Sequence, residues 1–237
     1  ISFSLFSHYG YEPFQSRNSA GEVLMVEDYL DIMHLGNCFA AAILFQVALT
    51  FCGAAFAVVV QTATGDKVVQ NMDNPVLRAT SPSNFWGRRW NALAHGMIKR
   101  GMFKPIQKYF STSVASVGAF VASGLFHEYL VHLVLMYDRD PRVVHTSSCP
   151  IADTTCKPQI GSNMAFFVWN GALVLFEKLL KRHQTFKNIG SALPHFVITF
   201  LIIMTALPVA HWFGNPYIKC GYFHDLQEGF LLVVKIV

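Results

Sequence analysis

Residues 109–137 read YFSTSVASVGAFVASGLFHEYLVHLVLMY, an apolar run whose only ionisable side chains apart from tyrosines are His127, Glu128 and His132. It exceeds the ~20 residues that cross a ~30 Å hydrocarbon layer as a helix. Three further runs share its character. Residues 37–61 carry no charge, 161–176 are uncharged and apolar if short, and 191–217 contain only His195 and His211 besides Tyr217. The third run needs Leu179 and Leu180, or snorkelling lysines, to reach across. The chain as a whole agrees, being 53% hydrophobic and 14% charged with a mean hydropathy of +0.37. Ordinary soluble domains carry roughly a quarter charged residues. The expected fold class is therefore all-α, a polytopic transmembrane helix bundle. Its spans fall at about 37–61, 109–137, 161–180 and 191–213, within one membrane-embedded domain covering 1–237. The first residue is Ile and no signal-peptide layout opens the chain, so the sequence reads as a fragment lacking N-terminal helices, or as a processed chain.

Charges between the runs give an orientation. Residues 1–36 hold five acids (Glu12, Glu22, Glu27, Asp28, Asp31) against Arg17. Residues 62–108 hold Lys67, Arg78, Arg88, Arg89, Lys99, Arg100, Lys104 and Lys108 against two aspartates, and 177–190 are again basic. Positive charge stays inside, which makes 62–108 a cytoplasmic loop and sets 177–190 on the same side. The net charge of +4 follows from this topology and gives no reason to invoke nucleic acid. Cys38 and Cys52, inside a span, read as packing residues. Cys149 and Cys156 lie seven apart in a connection assigned to the lumen, where a disulfide and two free thiols are both open readings. No second pair completes a four-ligand metal site.

The segment HEYLVH, 127–132, resembles a zinc-protease motif but fails on spacing. Two ligating histidines need positions i and i+4. Here His127 and His132 are i and i+5, ~140° apart around a helix. Glu128 and His132 are i and i+4 and can pair. The spacing gives His127 no side-chain partner on its own helix. Eleven residues before Asp138, it lies ~16 Å along the axis, about halfway through the hydrocarbon. An ionisable group at that depth faces protein or a water-filled cavity and marks a candidate site, the alternative being a hydrogen-bonded packing histidine. Ser113, Ser116, Phe120, Ser123, Gly124, Val131 and Val134 share its face. Such small residues permit close helix approach or leave a channel wall clear. A buried imidazole stays neutral and can accept a proton.

The cytoplasmic connection contains SPSNFWGRRWN, 81–91, which is not linker composition. On a regular helix Trp86 and Trp90 would anchor one face at the membrane interface, and Arg88 and Arg89 would serve anionic groups. Further on, HGMIKRGMFKPIQKYF, 95–110, suits an amphipathic helix in the headgroup layer, broken near Pro105, or else an ordinary basic loop.

ATSPSNFWGRRWN, 79–91, followed by SGLFHEY, 123–129, resembles the membrane-bound O-acyltransferase superfamily, and within it the wax synthase branch. The segment FFVWNGALVLFEK, 166–178, extends the likeness less specifically. The resemblance implies transfer of a fatty acyl group from acyl-CoA, the co-substrate, to a long-chain alcohol, giving a wax ester with no further cofactor or metal. It implies a multi-pass protein of the endoplasmic reticulum, whose partners are acyl-CoA, a lipophilic alcohol and membrane lipids. Carried over by position, His127 is the catalytic histidine and Asn91 the second active-site residue. Trp86, Arg88, Arg89, Trp90, Ser123 and Glu128 are the expected substrate-binding residues. Asn84 departs from the pattern, which has aspartate there, and puts that acid's ion pair with an arginine in doubt. The family also builds its chamber from more than four helices.

In the chemistry so implied, His127 takes the hydroxyl proton, Asn91 donates to the thioester oxygen, and Arg88 and Arg89 hold CoA phosphates. That requires the loop to fold back toward His127 beside a cytoplasm-facing funnel. His95 is a possible support or a surface residue. Asn170 either lines the chamber or bonds between helices, and His195 and His211 read as interfacial beside Trp212. Three rivals remain on sequence grounds: the same chemistry on a sterol, a diacylglycerol or a smaller hydroxylated metabolite, a transporter using His127, Glu128 and His132 as a proton relay, and a non-catalytic fragment.

Overall fold

The computed structural model describes residues 25–68, 70–135, 160–183 and 193–219. Among them no strand occurs, and four helical segments are long and apolar enough to cross a membrane: Ile32–Thr64, Thr112–His132, Ser162–Leu180 and His195–Tyr217. The chain is an all-α polytopic bundle, as its hydropathy predicts. Cys149 and Cys156 lie outside the described residues.

Helix α1 (Ile32–Thr64) starts where the Asp31 carboxylate accepts the backbone N–H groups of Met33 and His34. It stops at Gly65, whose φ of +75° suits a residue without a Cβ and whose N–H returns to the Gln61 carbonyl. At 1.5 Å per residue it is about 50 Å long, more than the hydrocarbon thickness, so it tilts or projects. One stripe, with Cys38 and Ala41, packs on Leu207 and Ala210. The outer face exposes Phe39, Val47, Phe51 and Val58. Cys38 packs as expected, whereas Cys52 sits on the exposed side. In lipid an apolar side chain gains nothing by turning inward.

The connection after α1 is folded. Short helices Pro75–Arg78 and Pro82–Asn84 lead into a π-turn, Phe85–Arg89. Then come α2 (Ala92–Ile98), a second π-turn (Lys99–Phe103) and α3 (Lys104–Tyr109). Pro105 does not break this helical run. The widened turn ahead of it bonds Lys104 N–H to the Lys99 carbonyl, and proline falls in the first turn of α3, where its missing N–H is least needed.

Helix α4 (Thr112–Tyr129), capped by the Ser111 hydroxyl, runs antiparallel to α5 (Ser162–Leu180). Three contacts set their register. Lys178 Nζ donates to Ser113 Oγ at 2.8 Å at one end. Gly171 meets Phe120 midway, and Gly124 meets Met164 at the other end. A Cβ on Gly124 would stand 3.0 Å from the Met164 Cα, so only glycine allows this approach. Of the two readings left open for the small residues of α4, Gly124 takes close packing. Ser116 and Ser123 turn their hydroxyls back onto the carbonyls of Thr112 and Ala119. The last span is α6 (His195–Ala206), a 3₁₀ turn at Leu207–Val209 holding Pro208, and α7 (Ala210–Lys219), which packs on α5.

Candidate active site

His127 lies near the end of α4 and its ring is half-buried. Nδ1 stands 2.7 Å from the Ser123 carbonyl oxygen one turn back. A carbonyl only accepts, so Nδ1 carries the proton of the neutral ring and Nε2 keeps its lone pair. Ser123 therefore serves His127 through its backbone. The imidazole lies against Phe167 at 4.6 Å and Phe213 at 5.3 Å between ring centroids. The chemistry this allows is acceptance of a proton at Nε2 from a hydroxyl delivered into an aromatic cage.

Glu128 faces elsewhere. One oxygen pairs with His132 at 3.1 Å and the other accepts the Met164 N–H at 3.0 Å. The pairing read from the i, i+4 spacing is present, and both oxygens have protein partners. Glu128 is thus a strut between α4 and α5.

The tryptophan-rich segment docks onto this bundle and does not form one interfacial face. Ser81 caps the short helix that begins at Pro82. The turn after it widens, with Trp90 N–H bonded to the Phe85 carbonyl at 2.9 Å. Trp86 points inward. Its Nε1 donates to Asn170 Oδ1 at 3.1 Å, and its ring packs among Phe120, Phe166 and Phe167. Trp90 stacks on Phe85 at 5.4 Å. A single side chain, Phe167, therefore separates Trp86 from His127. Asn170, almost fully buried, bonds this loop and not a neighbouring helix.

Arg89 holds the segment's shape. Its Nε donates to Asn84 Oδ1 at 2.7 Å, and its terminal nitrogen reaches both the carboxylate and the backbone carbonyl of Asp73. The charge missing at Asn84 is supplied by Asp73, which removes the doubt raised by that departure. Arg89 is thus engaged within the protein, whereas Arg88 is exposed. Arg88 lines an open polar cleft of about 250 Å³ with Thr80, Ser81, Ser83, Asn84 and Lys181. Lys181 also pairs with Glu177, whose carboxylate takes the Ser83 N–H and hydroxyl. The two basic connections meet here, at one end of the bundle.

Asn91 occupies the left-handed region, φ +44° and ψ +72°, which asparagine tolerates better than most residues. Its Oδ1 accepts the Ala94 N–H at 3.0 Å and caps α2. The cap fixes the amide and leaves Nδ2 with two hydrogens to donate. No hydrogen bond joins Asn91 to His127 among the described residues. His95, half-buried one turn on, is held below its usual pKa by burial and then by the Lys99 ammonium.

The sequence reading missed a second histidine pair. His34 and His211 are both buried with rings 4.9 Å apart, beside Tyr29 and Cys38. His211 is therefore enclosed by protein. The 3₁₀ turn ahead of α7 swings it inward, and no local pattern signals that turn beyond Pro208 itself.

Part of the chain is similar to the membrane-bound O-acyltransferases. Residues 69–146 match the model of the membrane bound O-acyl transferase family. The chain is also similar to long-chain-alcohol acyltransferases of plants. It is 28% identical over 228 residues to probable long-chain-alcohol O-fatty-acyltransferase 1 of Arabidopsis thaliana, covering 90% of this chain and 58% of that protein. Long-chain-alcohol O-fatty-acyltransferase of Simmondsia chinensis is 29% identical over 117 residues, 46% of this chain and 33% of its own. Acyl-CoA–sterol O-acyltransferase 1 of Arabidopsis thaliana is 33% identical over 96 residues, 38% and 28% of the two chains. The chain thus spans little more than half the length of the curated relatives it matches. No solved structure matches it.

Proposed function

We propose that this protein transfers a fatty acyl group from acyl-CoA to a long-chain alcohol, forming a wax ester in the endoplasmic reticulum membrane. The observation that carries the reading is the His127 tautomer, with Nδ1–H bonded to the Ser123 carbonyl and Nε2 unprotonated beside the docked tryptophan loop. The names of the long-chain-alcohol acyltransferase relatives support the acceptor class.

In the reaction, Nε2 takes the alcohol proton as the oxygen attacks the thioester carbon. Negative charge gathers on the carbonyl oxygen, to which the Asn91 amide donates. The C–S bond then breaks, and the imidazolium returns the proton to the departing thiolate, leaving ester and free CoA. CoA phosphates cannot enter hydrocarbon and sit in the polar cleft with Arg88 and Lys181. Trp86, packed on the Phe167 ring that meets His127, links the loop bearing Arg88 to the histidine.

Labelled palmitoyl-CoA and hexadecanol, supplied to membranes holding the full-length protein, test this. His127→Ala should lower ester formation by about 10²–10⁴-fold. Asn91→Gly, which keeps the left-handed backbone, should lower it by about 10²–10³-fold. Undiminished ester from His127→Ala would overturn the reading. The sterol-acyltransferase relative supports a second acceptor, so sterol belongs in the same assay. The proton-relay reading has less support, because Glu128 is tied to Met164 and the relay has no use for the tryptophan loop.

A further inference from the structure

Asn163 is the most completely enclosed polar side chain near His127, with a relative exposure of 0%. Neither its Oδ1 nor its Nδ2 has a hydrogen-bond partner. Buried amides are normally satisfied, and leaving both ends empty carries a penalty that surrounding packing must offset. Asn170, seven residues on along the same helix, has both ends bonded, to Trp86 and to the Phe166 carbonyl. The contrast between these two asparagines calls for a ligand at one of them.

Its position is fixed by the α4–α5 register. The next residue, Met164, is bracketed by Gly124 and Glu128, three residues before and one after His127. Phe167, one turn along from Asn163 on nearly the same face, carries the His127 ring at 4.6 Å. Asn163 therefore stands at the level of His127, on the strip of α5 that meets its ring, beyond Phe167 from the tryptophan loop. The acyl donor comes from the side of that loop, so the opposite side is left for the acceptor. Met164, a flexible thioether, is the neighbour able to yield as a ligand enters.

We infer that Asn163 binds the hydroxyl of the acceptor alcohol: Nδ2–H donates to the hydroxyl oxygen, turning its O–H toward Nε2 of His127. Nothing is transferred to or from Asn163, which makes it a residue of acceptor binding and orientation. This rests on the acyltransferase reading and adds to it the place where the second substrate is held.

Leucine has the shape of asparagine without its polar atoms, and it removes the two unsatisfied groups. Full-length Asn163→Leu and Asn163→Ala, each assayed with palmitoyl-CoA and hexadecanol, separate the outcomes. The expected result is a KM for hexadecanol raised about tenfold or more, with the KM for palmitoyl-CoA unchanged. Thermal stability of Asn163→Leu in detergent should match or exceed that of the unchanged protein. An unchanged hexadecanol KM in both variants overturns the inference, since a buried water alone would then account for the amide. A fall in thermal stability with both KM values unchanged also overturns it, because the role would be structural. Absence of ester from the unchanged protein overturns the acyltransferase reading itself, and the inference with it.

Discussion

At the scale of single residues, the ring of His127 is set by a bond to the backbone of its own helix and needs no carboxylate to orient it. Glu128, adjacent in sequence, is turned away to His132 and Met164. No carboxylate is hydrogen-bonded to the His127 ring among the described residues. His95 offers a separate measurement. Burial and Lys99 lower its pKa from 6.5 in the folded chain, so at acid pH the unfolded chain binds the proton first. Its neutral form is kept above pH 6.5, and stability falls as pH drops below that value. His95→Gln should flatten the acid limb of thermal midpoint against pH in detergent, leaving the midpoint at pH 8 nearly unchanged. The i, i+4 pair of Glu128 and His132 was legible in the sequence because helical spacing alone creates it. The Asp73–Arg89 pair was not, because it joins residues sixteen apart across a turn that no local pattern predicts.

Among the elements, α4 and α5 form the frame on which the site rests, and glycine at two crossings sets their separation. Gly124→Leu would drive a side chain into the Met164 backbone, so a loss of about 1–3 kcal/mol is expected, read as a lower thermal midpoint in detergent. The small residues of α4 were visible in the sequence, yet their use was not. Periodicity says which residues share a face, whereas the partner of that face depends on tertiary packing. The π-turns were hidden for a related reason. SPSNFWGRRWN read as a regular helix puts Trp86 and Trp90 on one interfacial face. Widening the turn at Phe85–Arg89 frees Trp86 to reach Asn170 inside the bundle.

For the molecule as a whole, the apolar runs gave the helices because length and hydropathy decide spanning without reference to neighbours. They could not give the burial of Asn163 or His211. In a membrane the outside is as apolar as the inside, so an apolar stripe carries no inward label. The charge pattern is a separate signal. It put 62–108 and 177–190 on one side, and Arg88 and Lys181 do line one cleft. If that cleft holds CoA phosphates, Arg88→Ala and Lys181→Ala should each raise the KM for palmitoyl-CoA about tenfold. The KM for hexadecanol should stay as it was, and added salt should weaken the donor further. Unchanged donor kinetics in both variants would leave these cations as determinants of topology alone.

The ion pair that steadies the tryptophan segment draws its acid from Asp73, upstream of the segment itself. Anyone grafting residues 81–91 onto a related scaffold would import an arginine whose counter-ion stays behind. The smallest transplantable block therefore begins at Asp73. By the same reasoning, descendants of this chain can exchange the residue at 84 freely between acid and amide only while position 73 keeps its carboxylate.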